Sequence, residues 1–229
     1  MIKYIYRILR NLFVSKYRVN SYSQEGEDLV LNRIFENQTI GFYIDIGAHH
    51  PKRFSNTFLF YKKGWCGINI DAMPGSMRLF KIFRKRDINI ECGIGSEQRQ
   101  LDYYIFNEPA LNGFSKNLSE SRSKNSTNYR VQAVKKINIE RLDITLDKYL
   151  PDSIKKIDFL SIDVEGLDYD VLISNNWEKY RPNFVIVEIL ESELIDIMKS
   201  KIYEFMLANN YTFFAKTVNS VFFKSLDTK

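Results

Sequence analysis

The sequence predicts an α/β fold, a mostly parallel sheet with helices on both faces, closed by a terminal antiparallel hairpin. Three observations predict it. Apolar runs of strand length recur along the chain, beginning with Phe42-Tyr43-Ile44-Asp45-Ile46. Stretches with helical spacing and helix start or stop signals separate them. The last two apolar runs, at 211–215 and 221–224, flank a short polar turn and read as a hairpin.

The elements follow in order. Ser23 with Gln24, Glu25, Glu27 and Asp28 predicts a helix start, a capping residue ahead of acids at the positive end of the dipole. Leu29, Leu31, Ile34 and Phe35 supply its core-facing side. Residues 42–46 form a buried strand ending at Gly47, and a helix over 55–62 is stopped by Gly64. Residues 65–70 are the second strand; Pro74 opens a helix running to about 84. Residues 88–92 are a third strand, and 101–106 an additional one rich in aromatics. Farther on come a strand over 131–139, a helix over 144–150 ended by Pro151 and a strand over 157–162. A helix over 169–174, a strand over 184–190 and one helix over 192–207 precede the hairpin. Between 107 and 130 the periodicity disappears: ten of the 24 residues are Asn or Ser. A polar loop this long reads as a lid over a site, with disorder as the alternative.

Composition narrows the function. The 229 residues suit one domain with an appendage, and Gly and Pro together number only 15. Cys66 and Cys92 are too few for a disulfide scaffold, and no apolar stretch is long enough to span a bilayer. A cytoplasmic protein is expected. Residues 1–20 carry Lys3, Arg7, Arg10, Lys16 and Arg18 and no acid, which accounts for the whole net charge of +5. The body therefore sums to zero, which argues against a nucleic-acid partner. Ile2, Ile5, Ile8, Leu9, Leu12 and Phe13 recur at helical spacing. Residues 1–20 thus read as a basic amphipathic helix preceding a domain over 21–229. It either packs on the domain or a second subunit, or lies peripherally on the inner face of a membrane.

Acids mark the strand ends: Asp45, Asp71, Glu91, Asp163 and Glu188. Ligands of open α/β sheets bind outside those ends. No G-x-G-x-x-G follows the first strand and no phosphate loop occurs anywhere, which disfavours dinucleotides and nucleoside triphosphates. Asp45-Ile46-Gly47 is instead the arrangement found around S-adenosylmethionine. Gly47 lets the backbone approach the ligand, Asp45 faces its cationic end, and Asp71 accepts from the ribose hydroxyls.

With these residues in place, the sequence resembles the FkbM-type methyltransferases, class I S-adenosylmethionine-dependent enzymes, from Ser21 to about residue 190. The carriers are Ser23-Gln24-Glu25-Gly26-Glu27-Asp28, Tyr43-Ile44-Asp45-Ile46-Gly47-Ala48-His49-His50-Pro51 and Ser55-Asn56-Thr57. Gly64-Trp65-Cys66-Gly67-Ile68-Asn69-Ile70-Asp71-Ala72 and Asp158-Phe159-Leu160-Ser161-Ile162-Asp163-Val164-Glu165-Gly166 complete them. His49 stands where many members carry Asn. The resemblance implies a Rossmann-like seven-stranded sheet with a reversed last strand. It also implies O-methylation of a hydroxyl on a sugar, polysaccharide or secondary metabolite. The cofactor is expected among Gln24, Asp45, Gly47, Ala48 and Asn56, then Asp71 and Ala72. Glu91, Cys92, Gly93 and Asp163 complete its surroundings.

A hydroxyl nucleophile must lose a proton, to a base or with the help of a metal. His50 and His49, the only histidines, follow the cofactor turn, and His50 is the preferred base of the two. Asp163 and Glu165, two residues apart, are the rivals. With Glu188 they are candidate ligands for Mg2+ or Mn2+. Other readings are a membrane-associated scaffold without activity and a nucleic-acid methyltransferase. The latter lacks its usual Asn/Asp-Pro-Pro-aromatic signature: Asp163-Val164-Glu165-Gly166 stands in its place.

Overall fold

The computed structural model describes residues 19–190 and 193–227. The amphipathic helix expected within residues 1–20 lies, up to residue 18, outside the described residues.

The main sheet has seven strands in the order β3-β2-β1-β7-β8-β10-β9. These are β1 (Phe42–Ile46), β2 (Cys66–Asp71), β3 (Ile88–Glu91), β7 (Phe159–Ile162), β8 (Phe184–Glu188), β9 (Tyr211–Lys216) and β10 (Ser220–Ser225). β1 pairs in parallel with β2 on one side and β7 on the other, while β10 runs antiparallel to both β8 and β9. The mostly parallel sheet with a closing antiparallel hairpin is therefore as the sequence predicts.

All five residues of β1 are buried, and the period of two divides them. Phe42, Ile44 and Ile46 join the larger core with Ile68, Leu160 and Val185. Tyr43 faces the other way, into an aromatic layer with Phe35, Phe60, Trp65 and Phe159. Rings there meet mostly edge-on or tilted, as for Phe60 and Trp65 at 4.8 Å between centroids.

Eight helices are described: α1 (Glu27–Ile34), α2 (Phe58–Lys62), α3 (Met77–Phe83), α4 (Lys116–Asn125), α5 (Leu142–Tyr149), α6 (Asp168–Ile173), α7 (Leu194–Met198) and α8 (Lys201–Ala208). α1 begins later than expected. Gly26, at φ +89°, precedes it, and the Ser23 hydroxyl accepts from Asp28 N at 3.3 Å while donating to Asp28 Oδ1 at 2.9 Å. α2 likewise starts after Ser55, whose hydroxyl accepts from Phe58 N at 3.1 Å. The single helix expected over 192–207 is two, because Ser200 is extended and its hydroxyl caps α8 by accepting from Tyr203 N at 3.2 Å.

Three strands stand apart from the main sheet. β5 (Arg99–Phe106) and β6 (Val131–Glu140) form an antiparallel ribbon, and β4 (Gly93–Ile94) pairs with β6. The run Val131-Gln132-Ala133-Val134-Lys135-Lys136 is too polar for a strand covered on both faces, and most of β6 is exposed. The segment between these strands is more ordered than its composition predicts. It holds a 3-10 turn at Pro109–Leu111 and the polar helix α4, capped by Ser115. Only Ser119 of α4 is buried, so no apolar stripe announces the helix.

Candidate active site

The strand order fixes where a ligand can enter. From β1 the chain moves outward to β2 and β3, then returns to place β7 on the opposite flank of β1. Loops leaving β1 and β7 therefore diverge, and a crevice opens at their carboxyl ends. Gly47 forms its floor at φ +83°. A Cβ there would sit 1.6 Å from the Asp163 carbonyl oxygen, so the glycine admits the neighbouring strand end as well as any ligand.

One wall is built around Asp71. Its Oδ2 accepts from His49 N at 2.9 Å and its Oδ1 from Met73 N at 2.8 Å. Burial pushes its pKa up, against the lowering by these amides. Each oxygen retains a lone pair for a further donor. Ala72, Cys92, Gly93 and Ile94 continue this wall. Burial raises the Cys92 thiol to about 12, so it stays protonated.

The opposite wall is acidic. Carboxylate oxygens of Asp163, Glu165 and Glu188 lie within 4.8 Å of one another. Arg122 of α4 pairs with Glu165 at 2.7 Å. Asp163 is open to the cleft yet ringed by protein. Desolvation first, then Glu188 and Glu165, drive its pKa well up. Glu188 is pushed up by burial and then by Glu165 and Asp168. Asp168 shapes the turn beneath them, accepting from Val164 N at 3.1 Å and Gly166 N at 3.3 Å.

The expected site residues divide. Gln24, Gly47, His49, Asn56, Asp71 and Ala72 reach the cleft, as do Cys92, Gly93, Asp163, Glu165 and Glu188. Asn56 also donates to Ser161 Oγ at 3.0 Å. Asp45, Ala48, His50 and Glu91 do not line it, which corrects their expected placement. Asp45 follows Tyr43 to the far side of β1, where Thr57 Oγ1 donates to it at 2.9 Å. Its pKa rises to about 6 through burial, opposed by Thr57 and by the Arg84 charge. Arg84 is itself fully buried and donates to Asp87, Tyr43, Thr57 and the Pro51 carbonyl. It ties the 47–57 loop to the sheet. Ala48 packs with Met77 and Phe80. Glu91 accepts from Gly75 N at 2.9 Å and shapes the turn before α3. His50 Nδ1 accepts from Lys52 N at 3.1 Å and Arg53 N at 3.0 Å, so the ring caps its own turn. His49 does face the cleft, at φ +51°. Desolvation, then Arg53 and His50, lower its pKa to about 4, leaving a neutral imidazole.

Sequence reasoning missed part of the wall. Glu25 accepts from Asn219 N at 2.8 Å, Asn219 Nδ2 at 2.7 Å and Thr217 Oγ1 at 2.9 Å. Glu27 accepts from Ser220 Oγ at 3.0 Å. Glu25, Glu27, Asn219 and Ser220 all border the cleft. The acids near Ser23 read locally as helix-dipole partners, and nothing local couples them to a turn about 190 residues away. Above the cleft, Pro109, Ala110, Asn112 and Phe114 come from the polar segment. A Cβ on Gly113 would meet Glu165 Cβ at 2.7 Å, so this segment lies flush against the Asp163–Gly166 turn.

The methyltransferase FkbM domain matches residues 45–213, most of the chain, from the end of β1 into β9. No curated protein matches the sequence. A crevice at the switch point of this sheet, an acid ending β2 and acids ending β7 and β8 fit that match. The chain belongs to the FkbM methyltransferase family, S-adenosylmethionine-dependent O-methyltransferases acting on sugar and polysaccharide hydroxyls.

Proposed function

We propose that the two walls divide the labour of methyl transfer to a sugar or glycan hydroxyl. The Asp71 wall holds the cofactor, and the Asp163–Glu188 wall receives the acceptor and its proton. The observation that supports this reading is the facing of these carboxylates across one cleft at the switch point. The residues fit S-adenosylmethionine: Asp71 keeps free lone pairs for vicinal hydroxyls, Ile70, Ala72 and Ile94 offer apolar cover, and the acids favour a cation. When bound, the cofactor supplies a methyl group already activated for in-line displacement. The chain then has to align the acceptor oxygen and remove its proton.

Glu188, with Asp163 beside it, is the proton acceptor in this reading. Its raised pKa gives a carboxylate basic enough to take a hydroxyl proton as the bond to methyl forms. His49 is the second candidate, now ahead of His50. The pH dependence separates them. If Glu188 is the base, turnover falls as pH drops through its elevated pKa, well above the ordinary carboxylate range. If His49 is the base, turnover stays flat until pH approaches about 4.

The three clustered carboxylates favour one further reading, a divalent cation such as Mg2+ or Mn2+, which Asp163, Glu165 and Glu188 would hold and which would lower the pKa of the acceptor hydroxyl. Calorimetric titration with Mn2+ tests it without any need for turnover. Micromolar binding lost in Asp163→Asn supports the metal; no heat in the unaltered protein removes it. For the main reading, the test is titration with S-adenosylmethionine. Asp71→Ala is expected to weaken binding by roughly 10- to 100-fold, as for a lost charge-assisted hydrogen bond. Equal affinity in the variant overturns the division of walls.

A further inference from the structure

α3 is apolar on both sides. Its inner residues Met77 and Phe80 are buried. Leu79, Ile82 and Phe83, spaced to share one face, are 42%, 58% and 42% exposed. A surface helix ordinarily turns polar residues outward. Cations surround this face: Arg78, Lys81, Lys85 and Arg86 are exposed, and residues 72–86 contain no acid. Lys52 adds its ammonium 3.8 Å from the Phe83 ring centroid. From residue 46 to residue 86 there are nine Lys or Arg and a single acid, the buried Asp71.

We infer that this face docks the protein on an anionic lipid surface. Apolar side chains ringed by cations match the boundary between phosphate headgroups and acyl chains. A nucleic-acid backbone would engage the cations and leave Leu79, Ile82 and Phe83 in water. Residues 1–18 are a poor cover for the face, because they are basic too. The described residues begin close to this same side. Tyr22 packs edge-on against Phe58 at 4.8 Å, its hydroxyl accepts from Lys62 Nζ at 2.7 Å, and Lys52 lies between Phe58 and Phe83. Next to Lys52, the Arg53 guanidinium lies 4.2 Å from the ring centroid of Phe54, which lines the cleft.

The experiment uses the full chain and two kinds of vesicle, phosphatidylcholine alone and phosphatidylcholine with phosphatidylglycerol. Sedimentation with the anionic vesicles only is expected. The triple variant Leu79→Ser/Ile82→Ser/Phe83→Ser should reduce binding by about tenfold or more. Lys81→Glu/Lys85→Glu should reduce it by roughly fivefold for each charge. Both variants should keep the affinity for S-adenosylmethionine, which shows that they fold. Phe83→Trp locates the contact: its added emission should shift to the blue with anionic vesicles and be quenched by brominated lipid. No binding by the unaltered chain overturns the inference. So does binding that leaves the Phe83→Trp emission unmoved, which would place the contact in residues 1–18. Equal binding by the triple variant, with tight binding to an oligonucleotide, overturns it in favour of nucleic acid.

Discussion

The two walls of the cleft use the same group, a carboxylate at a strand end, in opposite ways. On the β2 wall, Asp71 accepts one backbone amide on each oxygen: burial raises its pKa, these amides oppose the rise, and Glu91 adds only the smallest upward push. On the β7–β8 wall, Asp163 and Glu188 meet other acids, and burial and repulsion both drive protons onto them. The surrounding sequence is divided the same way. Residues 46–86 carry one acid among nine cations, whereas residues 140–198 carry fourteen acids and six cations. A body whose charges sum to zero thus contains two oppositely charged segments, each contributing residues to the crevice. A carboxylate held by amides is a fixed receiver for hydroxyls. Carboxylates that crowd one another exchange protons.

The largest expected effect follows from that contrast. Glu188→Gln keeps shape and hydrogen-bonding capacity but cannot take a proton, so turnover should fall by about 10²–10⁴-fold. Affinity for S-adenosylmethionine should change little, the reverse of Asp71→Ala. A methyl-transfer assay beside a binding titration gives both numbers. If the two variants lose the same property, the walls are not functionally distinct.

A second variant tests how the polar segment seals the acidic wall. Gly113→Ala places a methyl group against Glu165 and should displace the segment, at a cost of about 1–3 kcal/mol. Limited proteolysis between 107 and 130 should accelerate, and KM for the acceptor should rise more than kcat falls. Unchanged proteolysis would mean that the segment gives way without leaving the cleft.

The smallest effect is expected at His50. With Nδ1 committed to the Lys52 and Arg53 amides, His50→Asn can supply a similar acceptor and should keep turnover within about threefold. His49→Asn should cost more, since that ring faces the cleft. A loss of activity at His50 larger than at His49 would return the proton to the route first read from the sequence.

These residues also show what a sequence makes legible. Gly47, Asp71 and Asp163 were accessible because each ends an apolar run that identifies its own strand. Asp45 was misplaced although the information was present: it shares parity with Tyr43, and parity assigns the face of a strand. The ribbon of β5 and β6 was recognisable as two strands. Its departure from the main sheet depends on pairing partners that no local pattern states. α4 was missed because its ten residues bury only Ser119 and are held at the ends by Ser115 and the Arg122–Glu165 pair. The two charged segments are legible residue by residue, but a net charge taken over the whole body cancels them.

The clasp between Glu25 and Asn219 has a consequence for biosynthesis. A ribosome must deliver the turn before β10 before the acids near α1 acquire their partners, 194 residues after Glu25 was made. Until then that wall of the crevice is missing, whatever the state of the nascent β1–β2 unit. Contacts of such long separation form late in folding. The order of synthesis therefore acts as a safeguard: a polypeptide interrupted short of its closing hairpin could retain much of its sheet while lacking a finished chamber for chemistry.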